Sequence, residues 1–113
     1  MIRVNITKDK DGDYKFFVCK GHADYAEAGS DIVCAGVSAI VINTINCITD
    51  LVREDIDLTM NEKEGGYIAV SFREKPDRRT DFLIDCMVHG FDWIIAQYGT
   101  SYLKYEIREA EKC

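Results

Sequence analysis

Between Ile32 and Ile48 the chain carries no charged residue, and its polar interruptions are only Ser38, Asn43, Thr44 and Asn46. A helix of that composition has to be covered by the rest of the molecule, so it belongs at the centre of a core. The expected start is Ser30 or Asp31, either of which can accept from the free N–H groups of a first turn, and the expected end is near Arg53. The first half, 32–42, is apolar almost all round and predicts deep burial. The second half is amphipathic, with Asn43, Asn46, Asp50 and Arg53 opposite Ile45, Ile48 and Val52. Ala35 and Gly36 are small enough to let another backbone approach closely. Broken as it is, the run reads as too short to span a bilayer, and no membrane attachment is expected.

The flanking segments supply the cover. Residues 2–7 alternate Ile2, Val4 and Ile6 with Arg3, Asn5 and Thr7, the period of a half-buried strand. Asp11-Gly12 marks a turn, and 14–20 reads as the second arm of a hairpin. A second hairpin, 57–61 with 67–72, closes around Glu62-Lys63-Glu64-Gly65-Gly66. Pro76 and Asp77 precede a second helix to Tyr98, with Leu83, Met87, Phe91, Ile94 and Tyr98 as its apolar stripe and Gly99 as its cap. Residues 101–108 alternate again. The order is ββαββαβ, which predicts a single α+β domain over 1–113: a sandwich of two helices on a largely antiparallel sheet.

A chain of 113 residues is long enough for one core. The formal charge of -6 and pI near 4.8 argue against a general nucleic-acid binder, which would cluster Lys and Arg, and favour a basic partner. The N-terminal residues show no apolar core of signal-peptide length, and the five cysteines lack the close pairing of a disulfide framework, so a cytoplasmic protein is expected.

The chemistry gathers in 21–38. His22 follows the end of a strand, a short acidic loop follows His22, and Cys34 comes near a helix start. An imidazole can take the thiol proton and a helix N-terminus favours the resulting anion, the pairing that makes a cysteine nucleophile. Asp31 and Ser38 lie three before and four after Cys34, on the same helical face. Asp31 either caps the helix or orients His22. Ser38 either hydrogen-bonds beneath the thiol or fills space. Each of these residues also has a plainer reading, His22 as a surface residue and Cys34 as a buried structural thiol. A zinc site from Cys19, His22 and Cys34, or Cys86 with His89, lacks the paired Cys-x-x-Cys spacing, so neither metal nor cofactor is expected.

The run Gly21-His22-Ala23-Asp24-Tyr25-Ala26-Glu27-Ala28-Gly29-Ser30-Asp31-Ile32-Val33-Cys34-Ala35-Gly36-Val37-Ser38 resembles the signature of the ribosomal-processing cysteine proteases, the Prp family. The resemblance implies an endopeptidase that removes a short N-terminal extension from a large-subunit ribosomal protein precursor, cutting after a Phe within a motif containing Leu and Gln, and acting as a homodimer. By position it makes Cys34 the nucleophile and His22 the general base, with Gly21, Asp31 and Ser38 in support. It also implies a substrate loop, roughly 23–30, with Ala23, Asp24, Tyr25, Gly29 and Ser30, that moves to admit the peptide. A non-catalytic assembly factor that binds the same basic ribosomal protein is the alternative, and a zinc-bound adaptor a third.

Overall fold

The computed structural model describes residues 1–21, 28–61, 63 and 66–110; of 28–31 only the backbone is described. Strands β1 (Ile2–Lys8) and β2 (Tyr14–Lys20) precede helix α1 (Ala28–Asn46), which runs on through a widened π-helical turn, Cys47–Val52. Strands β3 (Ile56–Asn61) and β4 (Tyr67–Phe72), helix α2 (Arg78–Tyr98) and strand β5 (Leu103–Glu109) follow. The sheet order is β3-β4-β2-β1-β5. All neighbours run antiparallel except β1 and β5, whose parallel pairing requires α2 and its flanking segments as the return path. The expected α+β order is thus the observed one.

The alternation in the strands decides which face is covered. Rows of paired residues cross the sheet, Val4–Cys19–Ile68 and Ile6–Phe17–Val70, and all six side chains are buried. Arg3, Asn5, Lys20 and Lys104 point to the other face and are exposed. At the β3 edge the rows end in Met60 and Leu58, which stay exposed because the helix layer does not extend that far.

Only part of the predicted all-round burial of α1 is found. Val33, Cys34, Val37 and Val41 are in the core, whereas Ile32 is 57% exposed and Ala35, Ala39 and Ile42 are also exposed. One sheet and one neighbouring helix cover only one side of a cylinder. Length and hydropathy would by themselves allow Ile32–Val52 to cross a membrane, a longer apolar segment than the polar interruptions suggested. Here the buried side of that segment forms the core. Close approach between the helices occurs at Gly90, where an added Cβ would come within 3.1 Å of Ile40 Cδ1, and not at Gly36, where it would make ordinary contact.

The ends of the helices are fixed by specific groups. Hydroxyls of Thr44 and Thr49 bond the carbonyls of Ile40 and Ile45, competing for acceptors of the helix ladder, and the second does so inside the widened turn. Arg53 ends the segment with φ 64°, and the Glu54 N–H returns to the Ile48 carbonyl at 3.0 Å. The Glu54 carboxylate then accepts from the Asp77 N–H at 2.6 Å and from the buried Thr80 hydroxyl at 3.0 Å. Asp77 caps α2 through the Arg79 N–H at 2.8 Å, and the Gly99 N–H closes it on the Ile95 carbonyl at 2.8 Å with φ 88°. The buried stripe of α2 is Thr80, Ile84, Met87, Phe91 and Ile94; Leu83 is half-buried and Tyr98 exposed.

Candidate active site

Alternation along β2 turns Phe17 and Cys19 inward, and the strand ends at Gly21. Gly21 has φ 86°, a conformation that favours glycine, and its N–H donates to the Gly66 carbonyl at 3.0 Å. An added Cβ would lie 2.9 Å from the Met1 carbonyl oxygen. The sequence requires glycine here on both counts, conformation and space.

Above this strand end runs the start of α1. The Cys34 thiol points from the helix toward the sheet, is 1% exposed, and donates to the Gly21 carbonyl at a sulfur–oxygen distance of 3.8 Å. Two parts of the chain thirteen residues apart therefore meet at the position directly before His22. Cys19, also fully buried, is the next inward-facing residue back along β2. Burial, and next the neighbouring Cys34, push the Cys19 thiol up to about 12, so it stays protonated at ordinary pH.

The sequence-predicted residues divide into those seen here and those outside the described residues. Gly21 and Cys34 are brought into contact, and Ser38 is half-buried four residues further along α1. His22, Ala23, Asp24 and Tyr25 lie outside the described residues, and so does the expected loop movement. Gly29, Ser30 and Asp31 are described in backbone only, inside the first turn of α1. Because the helix begins at Ala28, Ser30 and Asp31 fall within it and neither occupies the expected cap position. Cys34 is consequently in the second turn, where its N–H belongs to the helix ladder and the terminal dipole has already weakened. Cys34 thus lies one turn deeper in α1 than a start at Ser30 or Asp31 would place it.

Cys19 and Cys34 are in the core, Cys47 is half-buried and Cys86 lies on an exposed face of α2. Among the described residues no three His, Cys, Asp or Glu side chains converge as a metal site. The sequence set Cys19 beside Cys34 only in the zinc reading, whereas the inward period Phe17, Cys19 gives its place on the covered face of β2. On the far side of α1, Ile32, Gly36, Ile40, Trp93, Ile94 and Tyr98 line an open apolar cleft of about 250 Å³.

Comparison with known proteins agrees with this geometry. Residues 1–104 match the family model described as cysteine protease Prp. The ribosomal processing cysteine protease Prp of Bacillus subtilis is 33% identical over 102 residues, 87% of this chain and 90% of that protein. Its namesake from Staphylococcus aureus is 31% identical over 99 residues, 88% and 92% of the two chains. Among solved structures, SMU.848 of Streptococcus mutans superposes with a TM-score of 0.86 at 26% identity, covering 97% of this chain and 96% of that one. The S. aureus protease in complex with a substrate peptide gives 0.83 at 27% identity, covering 95% and 99%.

Proposed function

Because the chain belongs to the cysteine protease Prp family, we propose that it is an endopeptidase that removes the N-terminal extension of a large-subunit ribosomal protein precursor, with Cys34 as nucleophile and His22 as general base. The observation that carries this reading is the contact between the Cys34 thiol and the carbonyl of Gly21, the residue before His22. It brings the two halves of the motif to one point. The S. aureus relative has been solved with a substrate peptide and with a covalently linked product peptide, which supports the same chemistry here.

In the resting state the Cys34 thiol donates to the Gly21 carbonyl. Transfer of that proton to His22 frees the thiolate. The thiolate attacks the scissile carbonyl carbon, the amine leaves with the proton from His22, and water hydrolyses the thioester. With Cys34 at 1% exposure, the cover over the sulfur has to open before a peptide reaches it. The proposed element is the part of the expected substrate segment that precedes α1. The net charge of -6 suits a basic ribosomal substrate. A cytoplasmic homodimer completes the proposal. Exposed Ile32, Phe82 and Trp93 on the helix layer, at 57%, 67% and 60%, support the dimer by giving a second copy apolar surface to cover.

The test is incubation of the purified protein, and of its Cys34→Ala and His22→Ala forms, with the full-length precursor, read by product mass. One N-terminal fragment released only by the unmutated protein is expected. An intact precursor held in a complex by all three proteins would replace this reading with the non-catalytic assembly factor.

A further inference from the structure

We propose that the open face of the sheet binds a single-stranded nucleic acid, with phosphates on Lys20, Arg3 and Lys104 and a base on Tyr67. The register sets these residues in one cross-strand row: Tyr67 opposite Lys20, Lys20 opposite Arg3, and Arg3 opposite Lys104. Lys20, Arg3 and Lys104 are exposed on the face that neither helix covers. Neighbouring strands lie about 4.8 Å apart, so the three cations fall within a line of about 10 Å. Like charges directly opposite one another destabilise a sheet. Among the described residues no carboxylate forms an ion pair with any of the three. Two carboxylates of strand residues share this face, and both are engaged elsewhere: Glu106 by Arg108 at 2.9 Å and Asp57 by Arg73 at 2.7 Å. Lys104 acts on Glu106 only as a weaker neighbour. The row costs the fold stability, and an anion laid along it would offset that cost.

A net charge of -6 opposes attraction of a polyanion to the surface as a whole, so the row acts as a local site. Aromatic rings select a nucleic acid among polyanions. The Lys20 Nζ lies 5.9 Å from the centroid of the Tyr67 ring. With Lys20, Asn61, Lys63 and Gly66, Tyr67 lines an open cavity of about 440 Å³ at the end of the row. A ring beside cations at such a cavity offers a base a π-face, and stacking there tolerates any sequence. Phe16, 37% exposed, adds a second ring on the same face, four residues back along β2. A duplex keeps its bases stacked inside and can use neither ring. The face is the one turned away from Cys34, and the inference holds whether or not the chain cleaves a precursor.

The test titrates the full chain against fluorescein-labelled oligouridylate and oligodeoxythymidylate of about 12 nucleotides, read by fluorescence anisotropy at about 50 and about 200 mM salt. Binding of both strands is expected. It should weaken about 20-fold across that range, because each phosphate contact adds about -0.7 to the salt slope and three are made. Arg3→Gln, Lys20→Gln and Lys104→Gln combined should abolish binding, and each alone should flatten the slope by about 0.7. Tyr67→Leu should weaken binding about 5-fold or more at both salt concentrations, and Tyr67→Phe should keep it. The charge variants alter only exposed side chains, so they decide the matter even if Tyr67→Leu unfolds. No binding at the lower salt, or equal binding by the triple variant, would overturn the proposal. Tighter binding to phosphatidylserine vesicles, or to duplex RNA of the same length, would overturn it in favour of a membrane surface or a duplex.

Discussion

The two helices rest on the same sheet by different means. Helix α2 is held by directional polar bonds: Asp77 at its start, Glu54 on Asp77 and Thr80, and Gly99 at its end. The Tyr14 and Tyr105 hydroxyls reach from the sheet to Asp85 and Asp92 at 2.5 and 2.6 Å. Both tyrosines are pushed up, Tyr14 first by burial and Tyr105 first by its carboxylate partner, so each remains a donor. Helix α1 meets the sheet through Val33, Val37, Val41 and Ile45, with the Cys34 thiol on the Gly21 carbonyl. Apolar contact is non-directional and roughly proportional to area, so it permits small displacements that a set of short polar bonds resists. Among the described contacts, α2 thus adds directional polar bonds to its apolar stripe, whereas those of the sulfur-bearing helix are mainly apolar.

The largest expected effect falls on α1 and leaves α2 untouched. Cys34→Ala should lower cleavage by about 10³-fold or more, as loss of a nucleophile does, with the unfolding midpoint in urea close to that of the unmutated protein. A midpoint that collapses together with activity would mean that Cys34 serves packing. Next comes Gly21→Ala, which combines positive φ with a Cβ 2.9 Å from the Met1 carbonyl oxygen. Strain and overpacking together should cost about 3 kcal/mol, read by urea unfolding. A neutral result would show that β1 and β2 can separate here without loss.

On the α2 side, Glu54→Ala removes the shared acceptor of the Asp77 N–H and Thr80 hydroxyl. It should cost about 2 kcal/mol, because the buried Thr80 hydroxyl loses its partner. An unchanged midpoint would remove the contrast between the helices. The smallest effect concerns Asp77, whose carboxyl is lowered to about 2 by the Arg79 side chain first and its N–H second. Its contribution is complete above the ordinary carboxylate value of about 4 and is lost as pH falls toward 2. Thermal melts at the two ends of that range should differ slightly less for Asp77→Asn than for the unmutated protein. An equal difference would mean that screening by solvent cancels the pairing.

What the sequence revealed followed from periodicity and local chemistry. The strand alternation gave the covered face, Asp77 and Gly99 gave the ends of α2, and the run around His22 and Cys34 gave the family. The misjudged parts depend on distant neighbours. Ile32 and Ile42 are apolar like Val33 and Val41, and only the position of the sheet and α2 separates exposed from buried. Starting α1 at Ser30 or Asp31 followed their capping preference, but the helix already includes them. The widened turn at Cys47–Val52 and the close approach at Gly90 are likewise tertiary. The Cys34 contact with Gly21 could be expected from the motif.

The parallel pairing of β1 with β5 bears on when the sheet can be completed during synthesis. Strand β1 lies between β2 and the last strand made, and the Ile2 N–H is fixed by the Tyr102 carbonyl at 2.8 Å. Met1, whose carbonyl crowds Gly21, is thus positioned by residues synthesised about a hundred positions later. A growing chain halted before Leu103 leaves β1 as an open edge and the floor beneath Cys34 unfinished. The topology thereby leaves the sheet beneath Cys34 incomplete until translation has passed the final strand.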